Sequence, residues 1–290
     1  GLINIQFAYV SENLFVIEAN PRASRTVPFV SKATGVQLAK AAVMIGLGKT
    51  IAELKAEGYL PKNMDGASLP QNTAIAVKAA VLPFSRFRTP EGVVVDSLLS
   101  PEMRSTGEVM GLDTLYDTAF AKAQAGAGSP LPTEGKVFVS VANHDKRNVI
   151  IYAKMLEQLG FEIVSTGGTA DVLRRNGVNS TVASKFAEAN GQHSIVDMVR
   201  NGEIDLILNT PAGGAARSDG YEIRAAAVSV GCPVMTTISE FAAAVQAITA
   251  LRERSWEIIN LQEHGEFLRT ASTGEQGQDK GEQVREGELS

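Results

Sequence analysis

From residue 136 onward the sequence keeps to one pattern: a short apolar run, a turn, an amphipathic stretch, and the same again. KVFVSV (136–141), FEIVS (161–165), STVAS (180–184), IDLILN (204–209) and PVMTT (233–237) have the apolar, β-branched character of strands. Residues 147–159, a short stretch ending at Arg175, and residues 194–201, 220–229 and 239–252 read as the helices that separate and follow them. Five strands alternating with helices predict an α/β domain whose parallel sheet is covered on both faces. Right-handed crossovers make such a sheet doubly wound.

The pattern is different upstream. INIQFAYV (3–10) and LFVIEAN (14–20) are β-rich runs separated by Ser11-Glu12-Asn13, which predicts a hairpin with a three-residue loop and Asn13 left-handed. A helix is expected over 35–47, a loop over 58–74, a strand over 75–84 and a helix over 113–124. Residues 126–135 (GAGSPLPTEG) lose apolar periodicity and gain Gly and Pro, so the domain boundary is expected there. The expected organisation is therefore 1–125, a linker at 126–135, an α/β domain at 136–268, and a polar, Gly-rich disordered tail at 269–290. The chain opens on Gly1 already inside an apolar run, which is expected of the middle of a longer protein.

Charge and cysteine content narrow the function classes. With 27 basic and 32 acidic residues the net charge is −5, which argues against a nucleic-acid or membrane-surface binder. One cysteine, Cys232, rules out a disulfide within the chain and fits a cytoplasmic protein. It enters an apolar strand after Gly231 and reads as a small buried side chain rather than a nucleophile. His144, His193 and His264 have no metal-ligand spacing and read as surface or helix-end residues. Trp256 and IINLQE (258–263) read as the terminal packing of the α/β domain.

Pairing Val10 with Leu14 across the hairpin puts Gln6 opposite Glu18. Glu18 and Asn20 are two apart and share a face, so the oxygens of Gln6, Glu18 and Asn20 converge. Hard cations such as Mg²⁺ take such oxygens and share them with phosphates. Arg22 and Arg25 follow at once and suit bidentate binding of phosphate or carboxylate. A solvated polar face would look the same on pattern alone.

QFAYVSENLFVIEANPRASRTVPFVSKATG (6–35), LPFSRF (82–87) and SPEMRSTGEVMG (100–111) resemble the end of the second ATP-grasp domain in the large subunit of glutamine-hydrolysing carbamoyl-phosphate synthetases. That resemblance implies an ATP-dependent carbon–nitrogen ligase that phosphorylates carbamate to carbamoyl phosphate for pyrimidine and arginine biosynthesis. It implies Mg²⁺ or Mn²⁺ on Gln6, Glu18 and Asn20, ATP beside them, and Arg22 and Arg25 facing phosphate or the carbamate-derived substrate. A glutaminase small subunit is the implied partner, and an oligomer the implied full-length state. The lobe and lysines that clamp ATP are expected before Gly1, so the fragment is expected to be inactive alone.

In a doubly wound sheet ligands bind beyond the carboxyl ends of the strands. Asn143, His144, Asp145 and Lys146 follow the first of these strands, Thr166-Gly167-Gly168-Thr169 the second, Lys185 the third, and Asn209 and Thr210 close the fourth. Two glycines at a helix start turn backbone N–H groups toward one point, the threonine hydroxyls can donate, and the lysines add charge. Together these residues read as a phosphate pocket, whereas TGGT by itself would also suit an ordinary turn. No G-x-G-x-x-G follows a strand, so a dinucleotide cradle is disfavoured.

The arrangement resembles the methylglyoxal-synthase-like domain. That resemblance implies an effector site with Lys146, Thr166, Thr169 and Lys185 on phosphate, Asn209 toward the nucleotide and Ser140 nearby, for an effector such as uridylate or inosinate. Alignment puts Gln192 where methylglyoxal synthase carries its catalytic Asp, and an amide cannot abstract a proton, so a sensing role is expected rather than lyase chemistry. Pro211 and Ala212 depart from the family's Thr-Ser-like stretch, and 234–237 lacks a Tyr-Asp pair that serves ornithine in some members. A non-catalytic nucleotide-monophosphate-sensing module is the alternative function.

Overall fold

The computed structural model describes residues 1–62, 74–87, 95–99, 102–184, 194–211, 213–254, 256 and 258–264. Contacts divide the chain into two units: Gly1–Ile75 with the stretch from Glu257, and Ala76–Trp256.

In the first unit β1 (Asn4–Val10) and β2 (Asn13–Asn20) form an antiparallel hairpin. Its loop has two residues rather than the expected three. Ser11 and Glu12 both adopt positive φ, at 48° and 63°, as the turn types that match strand twist require. Asn13 is a strand residue opposite Val10, and its Nδ2 donates to the Ser11 carbonyl at 2.9 Å. Three helices follow: α1 (Thr26–Thr34), α2 (Leu38–Gly46) and α3 (Ile51–Ala56). The single helix expected over 35–47 is thus α2 alone. It is set off from α1 by Gly35, which at φ 71° takes the left-handed conformation that ends a helix.

The second unit opens with the pair β3 (Ile75–Val81) and β4 (Gly107–Asp113), β3 starting one residue before the unit boundary, and then α4 (Tyr116–Gly126). The core of the unit is a five-stranded sheet in which every pairing is parallel. Its strands are β5 (Lys136–Ser140), β6 (Glu162–Ser165), β7 (Thr181–Val182), β8 (Leu206–Asn209) and β9 (Val234–Met235). The helices are α5 (Ile150–Gln158), α6 (Gly167–Arg175), α7 (Ile195–Arg200), α8 (Gly213–Val230) and α9 (Ile238–Glu253). The spatial order β7-β6-β5-β8-β9 makes the sheet doubly wound, with its reversal between β5 and β8.

Strand alternation sorts the core. Val137, Val139, Leu206 and Leu208 pack with Ala153 and Leu156 of α5 and Phe241, Val245 and Ile248 of α9. Phe138 and Ile207, pointing the other way, pack with Ile195 and Val199 of α7 and Ile223 and Ala227 of α8. The central strands are buried on both sides, which is why they read as continuous apolar runs.

The division by contact does not fall in the 126–135 stretch. α4 packs on β4 and on α9, so residues 76–126 cluster with the five-stranded sheet. Gly111 sets the closeness of β4 and α4: a Cβ there would lie 1.9 Å from the Ala119 carbonyl oxygen. At the other end Trp256 is 40% exposed and Ile258 90% exposed, and 258–260 form no strand, so this stretch is not terminal packing of the sheet. His264, at the end of a short helical turn, is buried rather than on the surface, and burial pulls its pKa below the usual value. The expected tail (269–290), His193 and most of the expected 58–74 loop lie outside the described residues.

Candidate functional site

The strand ends at the sheet's reversal enclose a pocket of about 190 Å³ lined by Ser140, Val141, Lys146, Thr166, Gly168, Thr169, Asn209, Thr210, Gly220 and Ile223. Each functional side chain is set there by a backbone element. Ser140 closes β5, Thr166 follows β6 as the N-cap of α6, and Asn209 closes β8. Thr169 sits in the first turn of α6, and Lys146 in the turn between β5 and α5. Lys185 and Gln192 lie outside the described residues.

The hydroxyls are partly committed to the protein. Thr166 Oγ1 lies 3.4 Å from both Ser140 Oγ and Thr169 Oγ1, and Thr169 Oγ1 accepts from the Val141 N–H at 3.5 Å. These are long contacts that an incoming acceptor could replace. Thr210 is different: its hydroxyl accepts firmly from the Ala142 N–H at 2.8 Å and joins the loops after β8 and β5. Thr166 caps α6 without a side-chain bond, so its hydroxyl is not spent on the helix. The opening N–H groups of a helix lack intrahelical partners, and the helix end carries partial positive charge. Lys146 adds a full charge: its Nζ lies so near Gly168 that a Cβ there would stand 3.0 Å away. An amine, hydroxyls and a helix N-terminus around one small cavity suit a phosphate group.

Two residues of the site carried no sequence signal. Arg224 on α8 is fully buried, and its Nη1 donates to Asn209 Oδ1 at 2.6 Å. Its Nε and Nη2 each donate at 2.7 Å to one carboxylate oxygen of Asp96, a residue 128 positions earlier. Desolvation raises the pKa of Asp96, but the Arg224 bonds and the Leu98 and Ser97 N–H groups outweigh it and hold the carboxyl below its ordinary value.

Cys232 is half-buried at the entry to β9, and its surroundings disfavour the thiolate that a nucleophile needs. Burial, helped by the nearby Asp205 charge, pushes its thiol up to about 12, and its Sγ lies 3.4 Å from the Ile204 carbonyl oxygen.

In the first unit the hairpin brings Gln6 opposite Glu18, although Val10 pairs with Asn13 rather than Leu14. The two-residue turn shifts the register by one, and a bulge between Gln6 and Phe7 on β1, with Ile17 as the extra residue of β2, shifts it back. Asn20 Nδ2 donates to Glu18 Oε1 at 2.9 Å, so the two side chains share a face as expected. The carboxamide must turn about χ2 before its oxygen, rather than its nitrogen, could join Glu18 on a cation. The donor set of two amide oxygens and one carboxylate fits a hard cation, and Gln6 and Glu18 are both exposed. Arg22 Nη1 donates to the Ala23 carbonyl at 3.1 Å, and Arg25 is the N-cap of α1.

A doubly wound sheet with a pocket at its reversal defines the α/β class of this unit, and residues 148–236 match the family model described as MGS-like domain. Residues 1–54 match the one described as Carbamoyl-phosphate synthase L chain, ATP binding domain. The carbamoyl phosphate synthase large chain of Kocuria rhizophila is 66% identical over 281 residues, which is 96% of this chain and 25% of that protein. That of Pseudarthrobacter chlorophenolicus is 66% identical over 272 residues, 92% of this chain and 24% of that one. That of Streptomyces griseus is 57% identical over 274 residues, 93% of this chain and 25% of that one. Over nearly its whole length the chain is thus similar to carbamoyl phosphate synthase large chains, and it spans about a quarter of the length of these relatives.

Proposed function

We propose that this chain serves ATP-dependent formation of carbamoyl phosphate from bicarbonate and glutamine-derived ammonia, for pyrimidine and arginine biosynthesis in the cytoplasm, and that its second unit senses a nucleotide monophosphate. In this reading the first unit contributes Gln6, Glu18 and Asn20 to Mg²⁺ or Mn²⁺ beside ATP. Arg22 and Arg25 face the phosphate or the carbamate-derived substrate. The metal, when bound, offsets charge on the phosphate oxygens during transfer. The chain's own part is to present one carboxylate and two amide oxygens on one face of a hairpin. A glutaminase small subunit supplies the ammonia.

The observation that carries the effector reading is the convergence of Lys146, Thr166, Thr169 and Asn209 on one cavity at the sheet's reversal. Lys185 is proposed to join them. Gln192, an amide where an acid would be needed, supports sensing over lyase chemistry. The test is calorimetric titration of the 290-residue chain with uridylate and inosinate, alongside Lys146→Ala. Lys146 lies in a turn, half-buried, so its truncation spares the core. Binding of at least one nucleotide, weakened about tenfold or more in Lys146→Ala, is expected. Failure of every nucleotide monophosphate to bind would sink the reading.

A further inference from the structure

Among the described residues, Asn209 is the pocket-lining side chain held by a buried charge: Arg224 Nη1 donates to its Oδ1 at 2.6 Å. A guanidinium has donors and no acceptor, so the carboxamide must offer it oxygen rather than nitrogen. The amide nitrogen is thereby left for the pocket, and Asn209 Nδ2 has no hydrogen-bond partner among the described residues. Arg224 in turn is fixed by a two-pronged bond to Asp96, at 2.7 Å on each oxygen. Gly220 makes room for this arrangement: a Cβ there would stand 2.4 Å from Arg224 Nη1 and 2.7 Å from Asn209 Oδ1.

We propose that Asp96 and Arg224 are positioning residues that lock the Asn209 carboxamide with its nitrogen toward the pocket, so that the site selects a ligand with a hydrogen-bond acceptor oxygen at that point. This deepens the effector reading and rests on it for the ligand. Without the lock the carboxamide could present either end, and ordering it on binding would cost affinity. The lock also ties the pocket to a residue outside the MGS-like match, since Asp96 precedes residue 148. Ligand held by Asn209 and docking of 95–99 on α8 then favour one another by the same factor.

The test uses Asp96→Asn, which keeps size and acceptor but removes the charge, with Asp96→Glu as the conservative restoration. Two readouts are taken on the 290-residue chain: uridylate affinity, and the side-chain NH₂ signals of Asn209 in the ligand-free protein. The expected result is an affinity lower by about five- to tenfold in Asp96→Asn, largely recovered in Asp96→Glu, with shifted or broadened Asn209 signals in Asp96→Asn. Unchanged affinity with unchanged Asn209 signals overturns the proposal. If the wild type binds no nucleotide the effector reading falls, and the ligand-free Asn209 signals alone then decide the lock: shifted upholds it, unshifted overturns it. If Asp96→Asn does not fold, Arg224→Lys is read in the same way, because one ammonium cannot span both partners.

Discussion

The Lys146 amine stands over Gly168 at the mouth of α6, where a Cβ would come within 3.0 Å of Nζ. The contact is with the far end of a flexible side chain, so a methyl group would displace the amine rather than the backbone. Gly168→Ala is therefore expected to fold normally and to weaken phosphate-ligand binding by about 1 kcal/mol, roughly five-fold in Kd. Calorimetry beside a thermal melt separates the two effects. An unchanged Kd would mean that Lys146 binds from elsewhere.

Gly220 gives the opposite case. Its neighbours at 2.4 and 2.7 Å are a buried guanidinium and the carboxamide it holds, and neither can retreat without breaking the pair. Gly220→Ala should destabilise the second unit by about 2–3 kcal/mol, measured by urea denaturation. A cost within 0.5 kcal/mol, roughly that of an ordinary surface change, would show that the cluster tolerates rearrangement.

Glu240 lies in the first turn of α9 and accepts from the Thr236 N–H at 3.2 Å. Burial raises its pKa, and that bond lowers it less. The sign follows: a raised folded-state pKa favours the protonated form, so the stability it contributes is present below the unfolded value and is lost as pH rises through the folded one. Glu240→Gln, which keeps an acceptor oxygen, should raise the melting temperature at pH 7 and flatten its rise between pH 7 and pH 5. A lower melting temperature at pH 7 would contradict this.

Glu18 is the one carboxylate of the proposed hairpin site and the partner of Asn20 at 2.9 Å. Mn²⁺ added to the chain should broaden the signals of Gln6, Glu18 and Asn20 before others, and Glu18→Gln should abolish that preference. Broadening that survives Glu18→Gln would place the cation elsewhere.

The second unit was largely legible because each of its signals is local. β5 and β8 are buried on both faces, and their runs VFV and LIL declare it without reference to anything distant. Thr166-Gly167-Gly168-Thr169 announces a strand-to-helix turn with exposed N–H groups from its residue types alone. The hairpin was legible for a mixed reason. The residue types predict a turn one residue longer than the one that forms, and the bulge that restores Gln6 opposite Glu18 has no marker in the string. The 126–135 stretch has linker composition, yet α4 before it packs on α9 beyond it, a contact that composition cannot express.

Periodicity and turn chemistry, which act over a few residues, determined the α/β class, the strand and helix alternation, and the polar residues at the strand ends. Tertiary structure alone decided which strand ends meet. It placed the reversal between β5 and β8 and brought Ser140, Thr166 and Asn209 together. It also decided the state of Asn209, because the Arg224 that orients its amide and the Asp96 that holds Arg224 are 128 residues apart. A buried charge finds its partner through the packing of the whole unit, and no local pattern records that distance.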